Sequence, residues 1–263
     1  MRPATAVRVC LSAGLLAAML LAPTTSAAKE SNGKPLQGPQ PWCAPEIEAL
    51  PGDACYLNGA SRLAPRRTLV IFLHGAIAKN TTWSWNHERM LQRVATATNI
   101  EMIFPRSPET NVGFVWPGSQ KAQAEVEQQL IDGWMTAKAT LEKRDGRPFD
   151  EVFVMGFSSG AYFASSLAMR GRMDVDGYAV FAGGQPMSAP PSPVVRRAPV
   201  FVGVCADDPT TASHSRAFAG SLLTAGIPRQ VNEQHVGHGL DAVHFNSALA
   251  YLRRMNKPQL ASL

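Results

Sequence analysis

Residues 151–170, EVFVMGFSSGAYFASSLAMR, decide how this chain folds. An apolar, β-rich run leads through a glycine and serine turn into a helical pattern that begins with small residues. The turn, GFSSG at 156–160, fits G-x-S-x-G, in which a serine between a strand and a helix exposes its hydroxyl above a sheet. Such a strained turn leaves no room for side chains two residues either side, which explains both glycines. Ser158 is the candidate nucleophile; the alternative is a β-to-α turn with an incidental serine.

Strands and helices alternate in both directions from this turn. Upstream, TLVIFLHG at 68–75 is typical of a strand buried on both faces of a parallel sheet. Further strands are predicted at 100–105, 177–181, 199–206 and 229–234, a short edge strand near 54–58, and helices at 84–98, 121–143, 213–225 and 240–255. We therefore predict a single-domain α/β fold with a mostly parallel sheet flanked by helices, and with its reactive groups at the carboxyl ends of the strands.

The first 27 residues are predicted to be a secretory signal peptide. Arg2 and Arg8 form a basic region, residues 9–21 are apolar, and Thr25-Ser26-Ala27 offers a small-residue cleavage site. The apolar part is shorter than the roughly 20 residues that span a bilayer; an uncleaved N-terminal anchor is the alternative. The predicted organisation is thus a signal peptide at 1–27, an extended N-terminal segment at 28–67 and a catalytic domain at 68–263. We expect a secreted or periplasmic protein with no stable membrane insertion after cleavage.

The composition fits one secreted enzyme domain. Without residues 1–27 the chain has 236 residues, enough for a single sizeable core. Losing Arg2 and Arg8 lowers the formal charge from +5 to about +3, a mild excess with no basic run, so nucleic-acid binding is not expected. Charged residues make up 17%, below the roughly 25% of an ordinary soluble domain, and the 21 glycines and 20 prolines indicate a loop-rich protein.

Three cysteines remain after the predicted signal peptide. Cys43 and Cys55 bracket a segment that contains proline and glycine and can close as a local loop, so we predict a disulfide between them in an oxidising compartment. Cys205 lies in an apolar strand and is predicted to be a buried thiol, although a bridge from Cys55 to Cys205 stays open. No cysteine or histidine has the spacing of a metal site, and we expect neither a metal nor an organic cofactor.

A serine hydroxyl is a weak nucleophile and needs a base and an acid that orients the base. Asp207 and Asp208 follow the strand at 199–206, and His238 lies in a glycine-flanked loop after the strand at 229–234. Each candidate therefore falls at the carboxyl end of a strand, in the chain order serine, aspartate, histidine. We prefer Asp208 as the acid because Pro209 fixes the turn beyond it, and Asp207 is the alternative.

The remaining histidines receive structural interpretations. His235 is predicted to be a solvated strand residue and His244 a residue of the helix surface or the core. His87 and His214 lie in predicted helices among polar neighbours and are expected to be exposed.

The oxygen of an attacked carbonyl becomes negative and needs preorganised donors. The backbone N–H of Ser159, at the start of a helix where the dipole favours negative charge, is one expected donor. The N–H of Ala76, after TLVIFLHG, is the other. His74 is expected to hold this oxyanion-binding turn, and Trp116 either lines a substrate pocket or packs in the core.

These motifs together resemble the α/β-hydrolase superfamily, and more closely the small secreted esterases grouped with poly(3-hydroxybutyrate) depolymerase-like and phospholipase/carboxylesterase-like proteins. The resemblance covers roughly residues 68–254, and its motifs are LHG at 73–75, GFSSG at 156–160, ADDP at 206–209 and VGHG at 236–239.

The resemblance implies Ser158 as nucleophile, an aspartate after the sixth or seventh strand as acid and His238 as base. The turn after LHG reads AIAKN, without the second glycine pair of many depolymerase-like relatives. No segment resembles a carbohydrate- or polymer-binding appendage, which does not favour polymer degradation.

We therefore expect a secreted serine hydrolase that cleaves small carboxylic esters through an acyl-enzyme intermediate. A peptidase or thioesterase with the same triad, and a binding protein on a hydrolase scaffold, are the alternatives, because the triad sets the reaction and the pocket sets the substrate. The loop at 183–199, with five prolines, is either a connection or a lid. The sequence does not indicate an oligomeric state.

Overall fold

A computed structural model describes residues 41–61, 64–186 and 196–256, and at its centre lies an eight-stranded sheet. The strands are β1 (Glu48–Leu50), β2 (Ala54–Asn58), β3 (Thr68–Leu73), β4 (Glu101–Pro105), β7 (Glu151–Phe157), β8 (Gly177–Phe181), β9 (Val200–Cys205) and β10 (Arg229–Gln234), with a separate hairpin of β5 (Glu109–Thr110) and β6 (Gly113–Phe114). The helices of the described residues are α1 (Trp83–Thr98), α2 (Gln120–Asp145), α3 (Ser159–Arg170), α4 (Ala212–Thr224) and α5 (Ala242–Met255).

The strand order is β1-β2-β4-β3-β7-β8-β9-β10. The six strands from β4 to β10 run parallel, whereas β1 and β2 are antiparallel to their neighbours. The predicted α/β fold with a mostly parallel sheet is therefore confirmed. All carboxyl ends of the parallel strands meet at one edge, where the loops that carry reactive groups are found in such folds.

The core has two apolar layers, one on each face of the sheet. Leu69, Ile71 and Leu73 of β3 pack in the layer that includes α2, α3 and α4, while Val70 and Phe72 pack in the layer with α1 and α5. Successive side chains of a strand point to opposite faces, so a strand covered on both sides must be apolar throughout. This is why TLVIFL carries no alternation and why every residue of β3 is buried.

The N-terminal part of the sheet differs from the prediction. The strand at 54–58 was expected at the edge, but β1 pairs with its outer side and β2 is internal. The sheet thus begins at Glu48, inside the segment that we expected to be extended. The predicted signal peptide at 1–27 lies outside the described residues. Of the proline-rich loop only 183–186 and 196–199 are described, without helix or strand. No helix of the described ranges has the length and apolarity needed to cross a membrane.

The predicted disulfide between Cys43 and Cys55 is present, with the two Cα atoms 5.5 Å apart. It ties residue 43 to β2 and so to the sheet. Cys205 is a buried free thiol that donates a hydrogen bond from Sγ to the carbonyl of Gly239 at 3.4 Å. The alternative bridge from Cys55 to Cys205 is therefore wrong.

The hairpin of β5 and β6 is an element that the sequence did not predict. Its two strands have two residues each, and Phe114 pairs its N–H and C=O with those of Ile77 at 2.8 and 3.0 Å. Gly113, with φ +135°, lets this close approach occur, because a Cβ there would lie 2.2 Å from the carbonyl oxygen of Ile77. The hairpin thereby fixes the loop that follows β3.

Candidate active site

Ser158 sits between β7 and α3 in a backbone conformation that L-residues rarely adopt, with φ 52° and ψ −118°. Both flanking glycines are sterically required there. A Cβ on Gly156 would lie 2.3 Å from the carbonyl oxygen of Gly160, and a Cβ on Gly160 would lie 2.1 Å from that of Leu73. Neither distance is compatible with a side chain, as we expected from the G-x-S-x-G pattern.

Three predicted site residues, Ser158, His238 and Asp208, are joined by a chain of hydrogen bonds at the carboxyl edge of the sheet. Ser158 Oγ lies 2.9 Å from His238 Nε2, and His238 Nδ1 lies 2.6 Å from Asp208 Oδ2. The carboxylate can only accept, so Nδ1 carries the proton and Nε2 is left to accept from the serine hydroxyl. This tautomer is the one in which an imidazole can take a proton from Ser158.

Asp208 is 2% exposed and its carboxylate is fully engaged. Oδ1 accepts from the N–H of Thr210 at 2.9 Å and that of Thr211 at 3.3 Å, and Oδ2 accepts from the Thr211 hydroxyl as well as from His238. Burial opposes ionisation, but the hydrogen bonds from Thr211, His238 and the two amides outweigh it and lower the pKa of Asp208 to about 2. The carboxylate is thus charged throughout the neutral range.

Asp207, the alternative acid, points elsewhere. Its Oδ1 lies 3.1 Å from Nδ1 of His235, whose side chain is 90% exposed. The structure therefore brings Asp208, and not Asp207, to His238.

The other histidines lie away from this chain of hydrogen bonds. His244 is buried in the core, its Nε2 3.2 Å from the carbonyl oxygen of Asn232. His214 is exposed and contacts the Tyr162 hydroxyl through Nδ1 at 2.6 Å. His87 corrects the prediction of exposure: it is partly buried beside Trp83, and burial lowers its pKa.

Among the described residues, the two backbone amides predicted as oxyanion donors have no hydrogen-bond acceptor. No described residue accepts a hydrogen bond from the N–H of Ala76, in the turn after β3, or from that of Ser159, at the first position of α3. The next amide, that of Gly160, donates to the carbonyl of His74 at 3.1 Å and so joins the start of α3 to the turn. We call residues 74–78, which carry the predicted oxyanion donor Ala76, the oxyanion loop.

The side chain of His74, the first residue of this loop, is buried and is held by two hydrogen bonds. Nδ1 donates to the carbonyl of Gly75, and Nε2 accepts from the N–H of Ser107 at 3.3 Å. Both bonds form only when the ring is neutral with its proton on Nδ1. Burial lowers the pKa of His74 to about 3, which keeps the ring neutral. His74 thus supports the loop and lies outside the hydrogen-bonded chain of Ser158.

A sequence profile of the family described as phospholipase/carboxylesterase matches residues 60–256. The chain belongs to this family. Its members share the α/β-hydrolase fold, so the protein is an α/β hydrolase. It is 29% identical, over 173 residues, to acyl-protein thioesterase 1 of Debaryomyces hansenii, and the match covers 57% of this chain and 73% of that protein.

Solved structures with the same fold include two bacterial carboxylesterases. That from Mesorhizobium loti aligns with a TM-score of 0.56 and 19% identity over 78% of this hydrolase and 94% of its own chain. That from Bacillus cereus aligns with a TM-score of 0.54 and 14% identity over 80% of this hydrolase and 95% of its own chain. At these identities the likeness concerns the fold alone.

Trp116 is a core residue of the hydrolase and not a wall of an open pocket. It is 2% exposed, stacks on Phe163 with ring centroids 5.7 Å apart and meets Trp134 edge-on. Its indole N–H donates to the carbonyl of His74 at 2.9 Å. Of the two predicted interpretations, packing is the one that the structure supports.

The threonines that surround Asp208 were not identified in the sequence analysis. Thr210 and Thr211 donate three hydrogen bonds to Asp208, two from backbone amides and one from a hydroxyl. The signal was present, because an aspartate whose side chain binds amides two and three residues ahead is the usual form of an Asx turn. The D-P-T-T sequence therefore distinguishes Asp208 from Asp207.

Within the described parts of the hydrolase, no group of three or more His, Cys, Asp or Glu side chains has the arrangement of a metal site.

Proposed function

We propose that this protein is a secreted serine hydrolase that cleaves carboxylic esters through an acyl-enzyme, with Ser158 as nucleophile, His238 as base and Asp208 as the orienting acid. The proposal rests on one observation, the unbroken chain of hydrogen bonds from Ser158 Oγ through His238 to Asp208. Membership of a family of phospholipases and carboxylesterases supports the same reaction class.

The chemistry follows from the proton positions. Ser158 Oγ attacks the ester carbonyl carbon while its proton passes to His238 Nε2, and the carbonyl electron pair moves to the oxygen. Collapse of this tetrahedral intermediate breaks the bond to the alcohol oxygen, which takes the proton from His238 and leaves acylated Ser158. Water then repeats the sequence with the same base and releases the acid.

Two features of the site stabilise the charges that this reaction creates. Asp208, with its lowered pKa, remains ionised and stabilises the imidazolium. The N–H groups of Ala76 and Ser159, which have no acceptor among the described residues, are proposed as the oxyanion hole. No step requires a metal or an organic cofactor.

Secretion is proposed from the N-terminal sequence and the disulfide. The pattern at 1–27 is that of a signal peptide, and a Cys43–Cys55 bridge is typical of an oxidising compartment. Mass spectrometry of the exported protein should give a mature chain that begins at Ala28, and full-length protein retained in the cytoplasm would contradict export.

The test of the nucleophile is labelling with a fluorophosphonate probe. The wild-type protein should be labelled covalently, because the probe's phosphorus is attacked by an activated serine, and Ser158→Ala should not be. Ser165→Ala, in the same helix but buried, is the matched control and should be labelled like the wild type. Wild-type protein that is folded and inert would overturn the proposal.

A thioester substrate is the second candidate, because a relative of this chain is named an acyl-protein thioesterase. The same three side chains serve either reaction, since only the leaving group differs. Values of kcat/KM for p-nitrophenyl esters, matched acyl thioesters and peptide amides, compared on one acyl chain, separate the candidates. The proposed esterase predicts the ester as the best substrate.

A further inference from the structure

Trp42 lies in a segment that precedes the residues matched to the family, and it packs behind the oxyanion loop. The indole stacks on Phe104 with centroids 5.6 Å apart and planes 9° from parallel, and its N–H donates to the Phe104 carbonyl at 3.3 Å. Its ring centroid also lies 5.1 Å from that of His74 and 5.2 Å from that of Phe114, which it meets edge-on.

His74 and Phe114, which both contact Trp42, hold the two ends of the backbone stretch 75–77. His74 donates to the carbonyl of Gly75 on one side, and Phe114 pairs with both backbone groups of Ile77 on the other. The only residue between these anchored points is Ala76.

The bond from His74 has a direct consequence for Ala76. The carbonyl of Gly75 and the N–H of Ala76 belong to the same planar trans peptide and point in opposite directions. A hydrogen bond that fixes the direction of the carbonyl therefore fixes the direction of the N–H as well. The ring of His74 thus aims the proposed oxyanion donor, and Trp42 packs against that ring.

Trp42 is itself held firmly from both sides in the sequence. Cys43, the next residue, is bridged to Cys55 of β2, and the N–H of Ala44 donates to the buried carboxyl of Glu88 at 2.8 Å. On the other side, the Trp85 indole donates to the carbonyl of Pro41 at 3.2 Å.

We propose that Trp42 is a positioning residue of the hydrolase: by packing against His74 and Phe114 it holds the oxyanion loop so that the N–H of Ala76 faces the reacting carbonyl oxygen. The inference rests on the proposed function. Preorganised donors stabilise the transition state more than the bound substrate, so loss of Trp42 lowers kcat and leaves KM nearly unchanged.

The test compares four variants on one ester substrate. Trp42→Ala removes all three ring contacts, and Trp42→Leu keeps apolar volume without the stacking. Each should lower kcat roughly 10-fold, less than the 10²- to 10³-fold typical of deleting an oxyanion donor outright. Trp42→Phe keeps an aromatic ring and should restore kcat to within roughly 3-fold of the wild type by the same reasoning.

Ile47→Ala is the matched control for a purely structural effect. Ile47 lies five residues beyond Trp42, inside the loop closed by the disulfide, and packs against the same core layer, but it has no aromatic ring to stack on its neighbours. Its thermal unfolding midpoint should fall as that of Trp42→Leu does, while its kcat stays at the wild-type value. Equal kcat losses in Ile47→Ala and Trp42→Leu, or a loss confined to KM, would overturn the positioning role.

A trifluoromethyl ketone inhibitor gives an independent readout, because it forms a tetrahedral adduct with Ser158 whose oxygen occupies the oxyanion hole. Its inhibition constant should rise in Trp42→Leu by the factor by which kcat falls, and an unchanged constant would contradict the inference. The two proposals fail differently. If the wild type hydrolyses esters but Trp42→Leu is equally active, only the positioning role fails; if the wild type hydrolyses none, the proposed function fails.

Discussion

Ser158 keeps its unusual backbone conformation because its neighbours over-determine it. A residue in such a region costs on the order of 1–3 kcal/mol. Against this, the N–H of Ser158 donates to the Phe181 carbonyl at 3.0 Å, and its own carbonyl accepts from Ala161 at 2.9 Å and Tyr162 at 3.2 Å. The strain places the hydroxyl outside the helix, within reach of His238.

Asp208 offers a test at the level of a single atom. In Asp208→Asn an amide N–H₂ can face His238 and favours the ring tautomer with its proton on Nε2, which cannot accept from Ser158. We expect kcat/KM to fall roughly 10⁴-fold, as for the equivalent change in well-studied serine hydrolases. Asp207→Asn changes only the contact with exposed His235 and should stay within about 2-fold of the wild type. The reverse ranking in ester hydrolysis would reassign the acid.

His74 predicts how stability depends on pH. Burial lowers its pKa from the usual 6.5 to about 3, so between these values the unfolded chain binds more protons than the folded one. The free energy of unfolding should therefore fall as the pH drops from 6.5 towards 3, by at most about 1.4 kcal/mol per pH unit for this residue. Urea unfolding of the wild type and of His74→Asn at pH 4, 5, 6 and 7 measures this slope.

The control for this experiment lies in the other buried histidines. Burial also lowers the pKa of His87 and His244, and both remain in His74→Asn, so the difference between the two slopes belongs to His74. His74→Asn should be less stable at pH 7 but lose less on acidification. Parallel slopes would mean that His74 is not held neutral.

At the scale of elements, α3 packs so closely on the oxyanion loop that it tolerates no side chain at Gly160. In Gly160→Ala the new Cβ would lie 2.1 Å from the carbonyl of Leu73, and backbone must move. We expect the free energy of unfolding to fall by at least about 2 kcal/mol and esterase activity to be lost.

Gly220 provides the contrast, because it lies inside α4 and a Cβ there meets nothing within 4 Å. Gly220→Ala should stabilise the protein by roughly 0.5–1 kcal/mol through helix propensity, with activity unchanged. Chemical denaturation and ester hydrolysis of both variants test this pair. A Gly160→Ala protein as stable as the wild type would show that the contact can relax.

The buried strands were predictable because burial on both faces demands an apolar run, and β3 and β8 start where the sequence predicted. The short strands, which leave little pattern in the sequence, were not predictable. The hairpin at 109–114 has only two residues per strand, and its pairing with Ile77 is a tertiary contact that no local pattern encodes. The three-residue β1 likewise exists because β2 offers it an edge.

At the scale of the whole molecule, the disulfide fastens the segment at 41–47 to the sheet. Its two cysteines are 12 residues apart. Closing a loop of this size lowers the entropy of the unfolded chain and raises the free energy of unfolding by about 3 kcal/mol. The double variant Cys43→Ser with Cys55→Ser should therefore unfold several degrees below the wild type. Differential scanning calorimetry with and without a reductant tests this, and the reductant should shift only the wild type. An unchanged midpoint in the double variant would exclude a stabilising role.

The candidate site was predictable in part from the topology of the whole sheet. Ser158, His238 and the aspartate pair each follow a parallel strand, and parallel strands end at one edge, so their proximity followed from topology. The preference for Asp208 came from Pro209, whereas the hydrogen bonds from Thr210 and Thr211 that hold its carboxylate were not predicted. The place of Trp42 depended on the disulfide and on packing across distant elements, which no motif contains.

Among the described residues, the sheet ends at β10 with an unpaired edge, since only β9 pairs with it. The unpaired backbone groups of such an edge strand can pair with strands of other chains, which leads to aggregation. Here the sequence RQVNEQ supplies arginine, glutamate and amides with a single large apolar side chain, Val231. Such polar gatekeepers disfavour stacking between copies, so the protein should stay dispersed at concentrations where an apolar rim would aggregate.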